Sequence, residues 1–280
     1  MIAAAAASPL GALQGGTRSV LAAVEEEGFH APGVGLFQFD PLFTVGGFDV
    51  TKPMALAIIS ALIVVIFFYA ATAKQALVPS RIQSLGEMGY VFIRDEVARS
   101  IIGKRGDAYV PLLVALFFLI WMMNLFSVIP LAQFPPASRI AYPAVLALIV
   151  YFTFLAVGIK NQGLVGYFKN IMFPPGIPKA VYVILAPLEL ISTILVRPFT
   201  LAVRLFANMF AGHVLLAFFA IVAWYFLVEA DFGPTFLIGV IGALMTVVMT
   251  AFEMFIQALQ AYIFTLLAAV YIQSSVEVHH

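Results

Sequence analysis

The chain contains no cysteine, which excludes disulfide staples, thiolate zinc sites, iron–sulfur ligation and cysteine nucleophiles together. Histidine is scarce as well. Only 4 occur, two of them the terminal His279 and His280, so no histidine-built metal centre is expected. Charge is the third shortage: 10% of residues are charged, against about 25% in ordinary soluble domains. The 14 basic residues cancel 14 acidic ones, so no basic surplus exists to neutralise a phosphate backbone, and nucleic acid is excluded as a partner. Hydrocarbon fills the space these absences leave. With 63% hydrophobic residues and a mean hydropathy of +1.07, the chain reads as an all-α integral membrane protein embedded in a lipid bilayer.

Residues 1–46 are Gly/Ala-rich and carry an acidic run, Glu25-Glu26-Glu27. They are read as an N-terminal extension on the outer side, lacking the basic n-region of a signal peptide and the Arg-rich character of a transit peptide. Residues 47–280 are read as a single polytopic membrane domain. Its first span is Pro53 to Ala73, about the 20 apolar residues that a ~30 Å hydrocarbon core requires. From Lys74 to Asp107 the chain turns polar, yet Ile82, Leu85, Met88, Gly89, Phe92 and Val97 recur at helical spacing. That pattern predicts an amphipathic helix at the membrane surface. Tyr109 to Ile129 and Tyr142 to Val157 predict a helical hairpin, and Gly163 to Lys179, with Pro174-Pro175-Gly176, a loop.

Two apolar stretches remain, Ala180 to Val228 and Phe232 to Ile272, divided by Glu229-Ala230-Asp231. At 1.5 Å per residue each would run roughly 60–75 Å, twice a bilayer. Neither holds a polar turn cluster that would let it reverse in lipid, so both are read as long, steeply inclined helices leaning on a curved protein partner. The tally is five membrane segments plus the surface helix. Lys74, Arg81, Arg94, Arg99, Lys104 and Arg105 follow the first span, and Lys160, Lys169 and Lys179 the third. These should face the cytoplasm or matrix, with Arg18, Lys52 and Arg139 opposite, giving an outside N terminus and an inside C terminus.

Arg197 and Arg204 are left over, both inside the fourth membrane segment. An arginine at mid-bilayer costs about 2.5–3.5 kcal/mol on insertion scales, so its default reading is functional. Arg197 precedes Pro198 and could snorkel to an interface or satisfy carbonyls freed by the proline. Arg204 has only apolar neighbours. Asn208, four residues on, shares its helical face. Glu253, Gln257 and Gln260 share one face of the last helix by their spacings of four and three. If Gln260 lies level with Arg204, then His213, about 13 Å outward, and Glu253, about 10 Å outward, fall at matching depth. Imidazole titrates near neutrality, so such a pair suits proton relay. Glu189 stands roughly 22 Å the other way along the same helix. Polar stations thus flank a guanidinium that never gives up its own proton but can attract a carboxylate and favour its ionised form. The residue types suggest a gated proton path acting on another polypeptide's carboxylate.

The stretch LELISTILVRPFTLAVRLFANMFAGH, Leu188 to His213, resembles subunit a of the membrane sector of rotary F-type ATP synthases. NLFSVIP, Asn124 to Pro130, is similar to that family's Asn-Leu…Pro hairpin ending, and QALQAYIFTLLAAVY, Gln257 to Tyr271, to its final helix. The likeness covers about residues 50 to 275. It implies a stator subunit carrying two offset half-channels, with Arg204 facing the rotor carboxylate and Gln260 beside it. It places Asn208, His213 and Glu253 at the outer half-channel and Glu189 on the inner one, with Gln257 also counted among the proton-translocating residues. The His–Glu pair here is swapped relative to some members. The partners implied are the c-ring, peripheral-stalk b subunits and the rest of the complex, with protons as the transported ion and no cofactor. A bacterial plasma membrane is favoured over a mitochondrial one. No catalytic residue is assigned, and Gly103-Lys104-Arg105 lacks the upstream glycine and the Ser/Thr of a phosphate-binding loop. The alternative of a proton-coupled secondary transporter would require inverted repeats with paired broken helices, which the two halves do not display. An intramembrane hydrolase would need a serine dyad, and Ser192 has no His or Lys nearby in sequence.

Overall fold

The computed structural model describes residues 41–45, 48–73, 79–129, 132–173, 181–229, 233 and 235–276. The residues before Pro41, Lys74, Pro174-Pro175-Gly176, Lys179 and Ala230-Asp231 lie outside the described residues. Two compact units emerge, one from the described residues between 37 and 213 and between 250 and 280, the other from those between 214 and 249.

The larger unit opens on a short antiparallel hairpin, β1 (Pro41–Val45) with β2 (Phe48–Thr51). It straddles the boundary read at residue 46 and leads directly into α1 (Lys52–Ala73), which is apolar on every side. In α1 the buried Ser60 hydroxyl donates to the Leu56 carbonyl at 2.8 Å, satisfying itself within its own helix. Helix α2 (Arg81–Phe92) follows, its first turn capped by the Ser80 hydroxyl accepting from the Gln83 amide. It runs on through a wide π-type turn, Ile93–Arg99. Ile82, Leu85 and Met88 are exposed, as expected of a helix bedded in the interface. A Cβ on Gly86 would sit 2.6 Å from that of Ala71, and one on Gly89 2.6 Å from the Phe118 ring. Only glycine lets this helix lie so close to its neighbours.

A 3₁₀ turn, Gly103–Tyr109, leads into α3 (Val110–Leu125), and α4 (Ala141–Gln162) completes the expected hairpin. The connection folds inward rather than out: the Phe134 amide donates to the Phe126 carbonyl at 3.1 Å, and the Phe134 ring is buried with Leu56, Phe126 and Ala132. One expectation is corrected. The segment read as a loop from Gly163 contains a helix, α5 (Leu164–Met172). Gly163, with φ +72°, breaks α4 and redirects the chain. The amphipathic LVGYFKNIM then coils again, burying Tyr167 against Gly158, where any Cβ would come within 2.2 Å of the ring. Proline and glycine punctuation downstream had masked this nine-residue periodicity.

Helix α6 (Tyr182–Ile191), a π-type turn (Ser192–Val196) and α7 (Arg197–Trp224) follow without interruption, and a second π-type turn ends at Glu229. The run is 48 residues; α8 (Phe236–Val276) is 41. At 1.5 Å rise these are roughly 72 and 62 Å long, so neither folds back. Among the described residues five helical stretches are long and apolar enough to cross a bilayer, and the chain is a multi-pass, all-α membrane protein. The core of the larger unit joins Leu113 and Ile120 of α3, Val150 and Phe154 of α4, Leu201 and Leu205 of α7, and Ala261, Phe264 and Ala268 of α8. Because lipid is as apolar as leucine, dispersion and close approach hold such helices together rather than water exclusion, and the small alanines of α8 serve that purpose. In the smaller unit Gly239 and Gly242 do the same: a Cβ on Gly239 would lie 2.8 Å from Leu227, and one on Gly242 3.0 Å from the Ala223 backbone.

Candidate functional site

Two polar clusters of the larger unit hold predicted site residues, and Arg204 shares no hydrogen bond or ion pair with either among the described residues. The first lies where the C-terminal end of α3 meets α8. Glu253, Gln257 and Gln260 are all buried, Gln257 completely, so the shared face read from their spacing turns inward. The Gln257 amide nitrogen donates to the Ser127 hydroxyl at 2.5 Å and to Glu253 Oε1 at 3.3 Å. The Glu253 carboxyl also lies against Gly212, 3.7 Å from where a Cβ would stand. The next residue, His213, is buried with its ring edge-on to Phe134 at 5.6 Å. The matching depth inferred for Glu253 and His213 therefore corresponds to adjacency of Glu253 with residue 212.

Many polar atoms here have no protein partner among the described residues. They are both amide atoms of Asn124, Glu253 Oε2, Gln257 Oε1 and Gln260 Nε2. Native proteins rarely bury polar atoms unpaired, and a concentration of them marks a place where water or ions are handled. Asn124 and Ser127 were not among the residues singled out for the site, although NLFSVIP was. The signal was available: an amide side chain ending the apolar run of α3 carries the same desolvation penalty that drew attention to Gln257.

The second cluster surrounds Arg197. Its guanidinium pairs with Glu189 at 3.6 Å, donates to the Ser274 hydroxyl at 3.3 Å and lies 5.4 Å from the centroid of the Tyr271 ring. Tyr167 and Ser275 exchange a hydrogen bond at 3.4 Å beside it, and Gln162 donates to the Ser275 carbonyl. Eight residues separate Glu189 from Arg197, which in a pure α-helix sets them about 80° apart. The π-type turn at Ser192–Val196 absorbs one residue and brings them to within about 20°, as in an i, i+7 pair. The sequence-based readings of Arg197, snorkelling or satisfying carbonyls freed by Pro198, did not include this ion pair because the wide turn is invisible to a regular helical count.

Arg204 differs. It is exposed on α7 and makes no ion pair or hydrogen bond among the described residues. Asn208, one turn on, is half-buried. Among the described residues no cluster of His, Asp and Glu could hold a metal ion.

Helices this long, a guanidinium on an apolar helix unpaired among the described residues, and buried polar atoms likewise unpartnered define a multi-pass membrane protein that carries charge within its spans. Residues 54–273 match the ATP synthase A chain family. ATP synthase subunit a of Streptomyces lividans is 50% identical over 263 residues, covering 90% of each chain. The subunit a of Frankia alni is 43% identical over 258 residues, 90% of this chain and 88% of its own. That of a Nocardioides species is 42% identical over 276 residues, 94% and 98% of the two chains. The chain belongs to the ATP synthase A chain family.

Proposed function

We propose that this chain is the proton-conducting stator subunit of the membrane sector of a rotary F-type ATP synthase, performing no bond chemistry itself. It works beside a ring of c subunits and the b subunits of the peripheral stalk. The membrane is a bacterial plasma membrane, with the N terminus outside and the C terminus in the cytoplasm. That orientation follows from the basic residues after the first and third spans.

A proton enters from outside through the Glu253 cluster. Gln257 fixes one carboxyl oxygen of Glu253, while Oε2 and the amides of Asn124, Gln257 and Gln260 present unpartnered polar atoms to a file of water. His213 and Asn208 continue this inlet along α7. The proton neutralises a ring carboxylate near Arg204, and the neutral site turns into lipid, which a charged one cannot enter without a penalty of several kcal/mol. On return, the ring site meets Arg204, which favours its ionised form. The released proton leaves past Glu189. Arg204 never deprotonates, so it repels a proton attempting the short crossing between the half-paths.

The observation that carries this reading is the exposed Arg204, uncompensated among the described residues of its own chain. A permanent cation so placed needs a counter-charge, and the reading supplies it from the rotor. The transporter alternative would supply it from an anionic solute, but calls for inverted repeats with paired broken helices, which the two halves do not display. Substituting Arg204→Ala should abolish proton-driven ATP synthesis in membrane vesicles while the chain stays inserted and assembled; wild-type coupling in that variant would overturn the assignment.

A further inference from the structure

Away from both polar clusters, two cavities line one stripe of α1. Ile63, Val64, Phe67, Phe68, Ala71 and Thr72 follow each other at spacings of one and three, a single helical face. Toward the C-terminal end of α1, a recess of about 530 Å³ opens between this stripe and the surface helix α2, walled by Phe68, Thr72, Gln83, Glu87, Tyr90 and Arg94. Toward the middle of α1, a slot of about 250 Å³ lies between the stripe and α3, walled by Ile63, Phe67, Phe118, Trp121 and Leu125. Phe68 belongs to both walls. From Thr72 to Ile63 the stripe descends about 13 Å. A polar recess at the end of a span beside an interfacial helix, continued by an apolar slot toward mid-span, has the depth profile of a phospholipid headgroup and acyl chain.

The recess carries charge of both signs. Glu87 is held by Gln83, whose side-chain nitrogen donates to Oε1 at 2.7 Å. Arg94 is locked by Asp95, which accepts from Nε at 2.8 Å and Nη2 at 3.1 Å. That fork leaves the Nη1 protons directed elsewhere. An anionic headgroup would meet Glu87, and a cationic one Arg94. A zwitterion satisfies both, its phosphate on Arg94 and its ammonium on Glu87.

We propose that the recess and slot along α1 bind one zwitterionic phospholipid with a primary ammonium headgroup, its ammonium on Glu87, its phosphate on Arg94 and one acyl chain in the slot. The site is separate from the proton path and depends only on the chain being a membrane protein. Bound there, the lipid seats α2 against α1, where Gly86 already meets Ala71.

The test uses the assembled complex in vesicles containing phosphatidylethanolamine that carries a photoactivatable group in one acyl chain, or phosphatidylglycerol carrying the same group, with labelled peptides mapped by mass spectrometry. The ethanolamine lipid should label the peptides bearing Ile63 to Phe68 and Phe118 to Leu125 about tenfold more than the glycerol lipid at equal mole fraction. Glu87→Gln should reduce that preference to parity with proton-driven ATP synthesis unchanged. Val64→Trp, which fills the slot, should remove labelling there; if that variant fails to assemble, Glu87→Gln decides alone. Equal labelling by both lipids, no labelling in the slot, or cross-links showing a helix of another subunit seated in it would each overturn the proposal.

Discussion

Two arginines seven residues apart on α7 occupy opposite circumstances. They are separated by about 10 Å along the axis and about 20° around it, so position on the helix does not explain the contrast. Arg197 is compensated three ways within its own chain, by Glu189, Ser274 and Tyr271. Arg204 is exposed with no charged or hydrogen-bonding partner among the described residues. A cation placed in lipid is expensive in both cases. The difference teaches that the chain can neutralise an intramembrane arginine and does so at one position only. At the other, no described residue supplies a counter-charge, the circumstance on which the proposed rotor carboxylate rests. Measuring Arg204→Gln and Arg197→Gln side by side sharpens this. The first should bring proton-driven ATP synthesis to background, because the glutamine has the bulk but neither the charge nor the barrier. The second removes a charge that is tied within its own chain, so synthesis should stay within about fivefold of wild type. Comparable losses in both variants would break the distinction.

The carboxyls invite the same comparison. Glu189 has a cation beside it, whereas buried Glu253 has a neutral amide donor and a second oxygen with no partner among the described residues. Replacing Glu253 by Gln keeps shape and burial and removes only the titrating proton. A positioned acid–base group contributes about 10²–10⁴-fold to a proton-transfer rate, so proton-driven synthesis should fall about a hundredfold or more. Passive proton uptake by vesicles stripped of the catalytic head should fall in parallel. A Glu253→Gln variant that conducts normally would remove this cluster from the path.

Much of this was legible in the sequence, for reasons that differ between elements. Spans such as Lys52–Ala73 announce themselves because lipid tolerates only uninterrupted apolar helix. Arg204 stood out because no local residue could pair with it. The shared buried face of Glu253, Gln257 and Gln260 followed from helical periodicity alone. What escaped was whatever depends on departures from regular helix or on residues distant in sequence. The π-type turn that aligns Glu189 with Arg197 is one case. Others are Ser127, which comes to Gln257 across 130 residues of chain, and α5, whose nine residues are too few for a clear period.

The setting of Arg197 can itself be loosened from a distance. Ser274, its hydroxyl partner, precedes Ser275, which is bonded to Tyr167, and that ring packs on Gly158. In Gly158→Ala the new methyl would start 2.2 Å from the ring. Overpacking of this kind typically destabilises by about 1–3 kcal/mol, here by displacing α5. Thermal unfolding of the purified complex in detergent should show reduced resistance of this chain, while proton-driven synthesis at moderate temperature persists because Arg204 and the Glu253 cluster are untouched. A loss of coupling as complete as that of the Arg204 variants would mean that the inner cluster is as exacting as the arginine.

The smallest effect belongs to the arginines that never enter lipid. Arg94 and Arg99 are paired too, with Asp95 and with Asp107 at 2.7–2.8 Å, but these pairs face water, which would solvate each charge nearly as well alone. The hydrogen bond from Arg94 holds the Asp95 carboxyl below its ordinary range. A carboxyl depressed on folding stabilises the fold above its unfolded pKa of about 3.9, and that contribution fades as pH falls through this value and the lower folded one. Asp95→Asn should therefore match wild type in proton-driven synthesis and lower thermal stability slightly at pH 7. The difference should shrink in high salt and disappear under acid conditions where the wild-type carboxyl is protonated as well. A stability gap persisting at low pH would show that Asp95 acts through packing rather than charge, and the rule drawn from Arg197 and Arg204, that a partner matters in proportion to the water it replaces, would lose its control case.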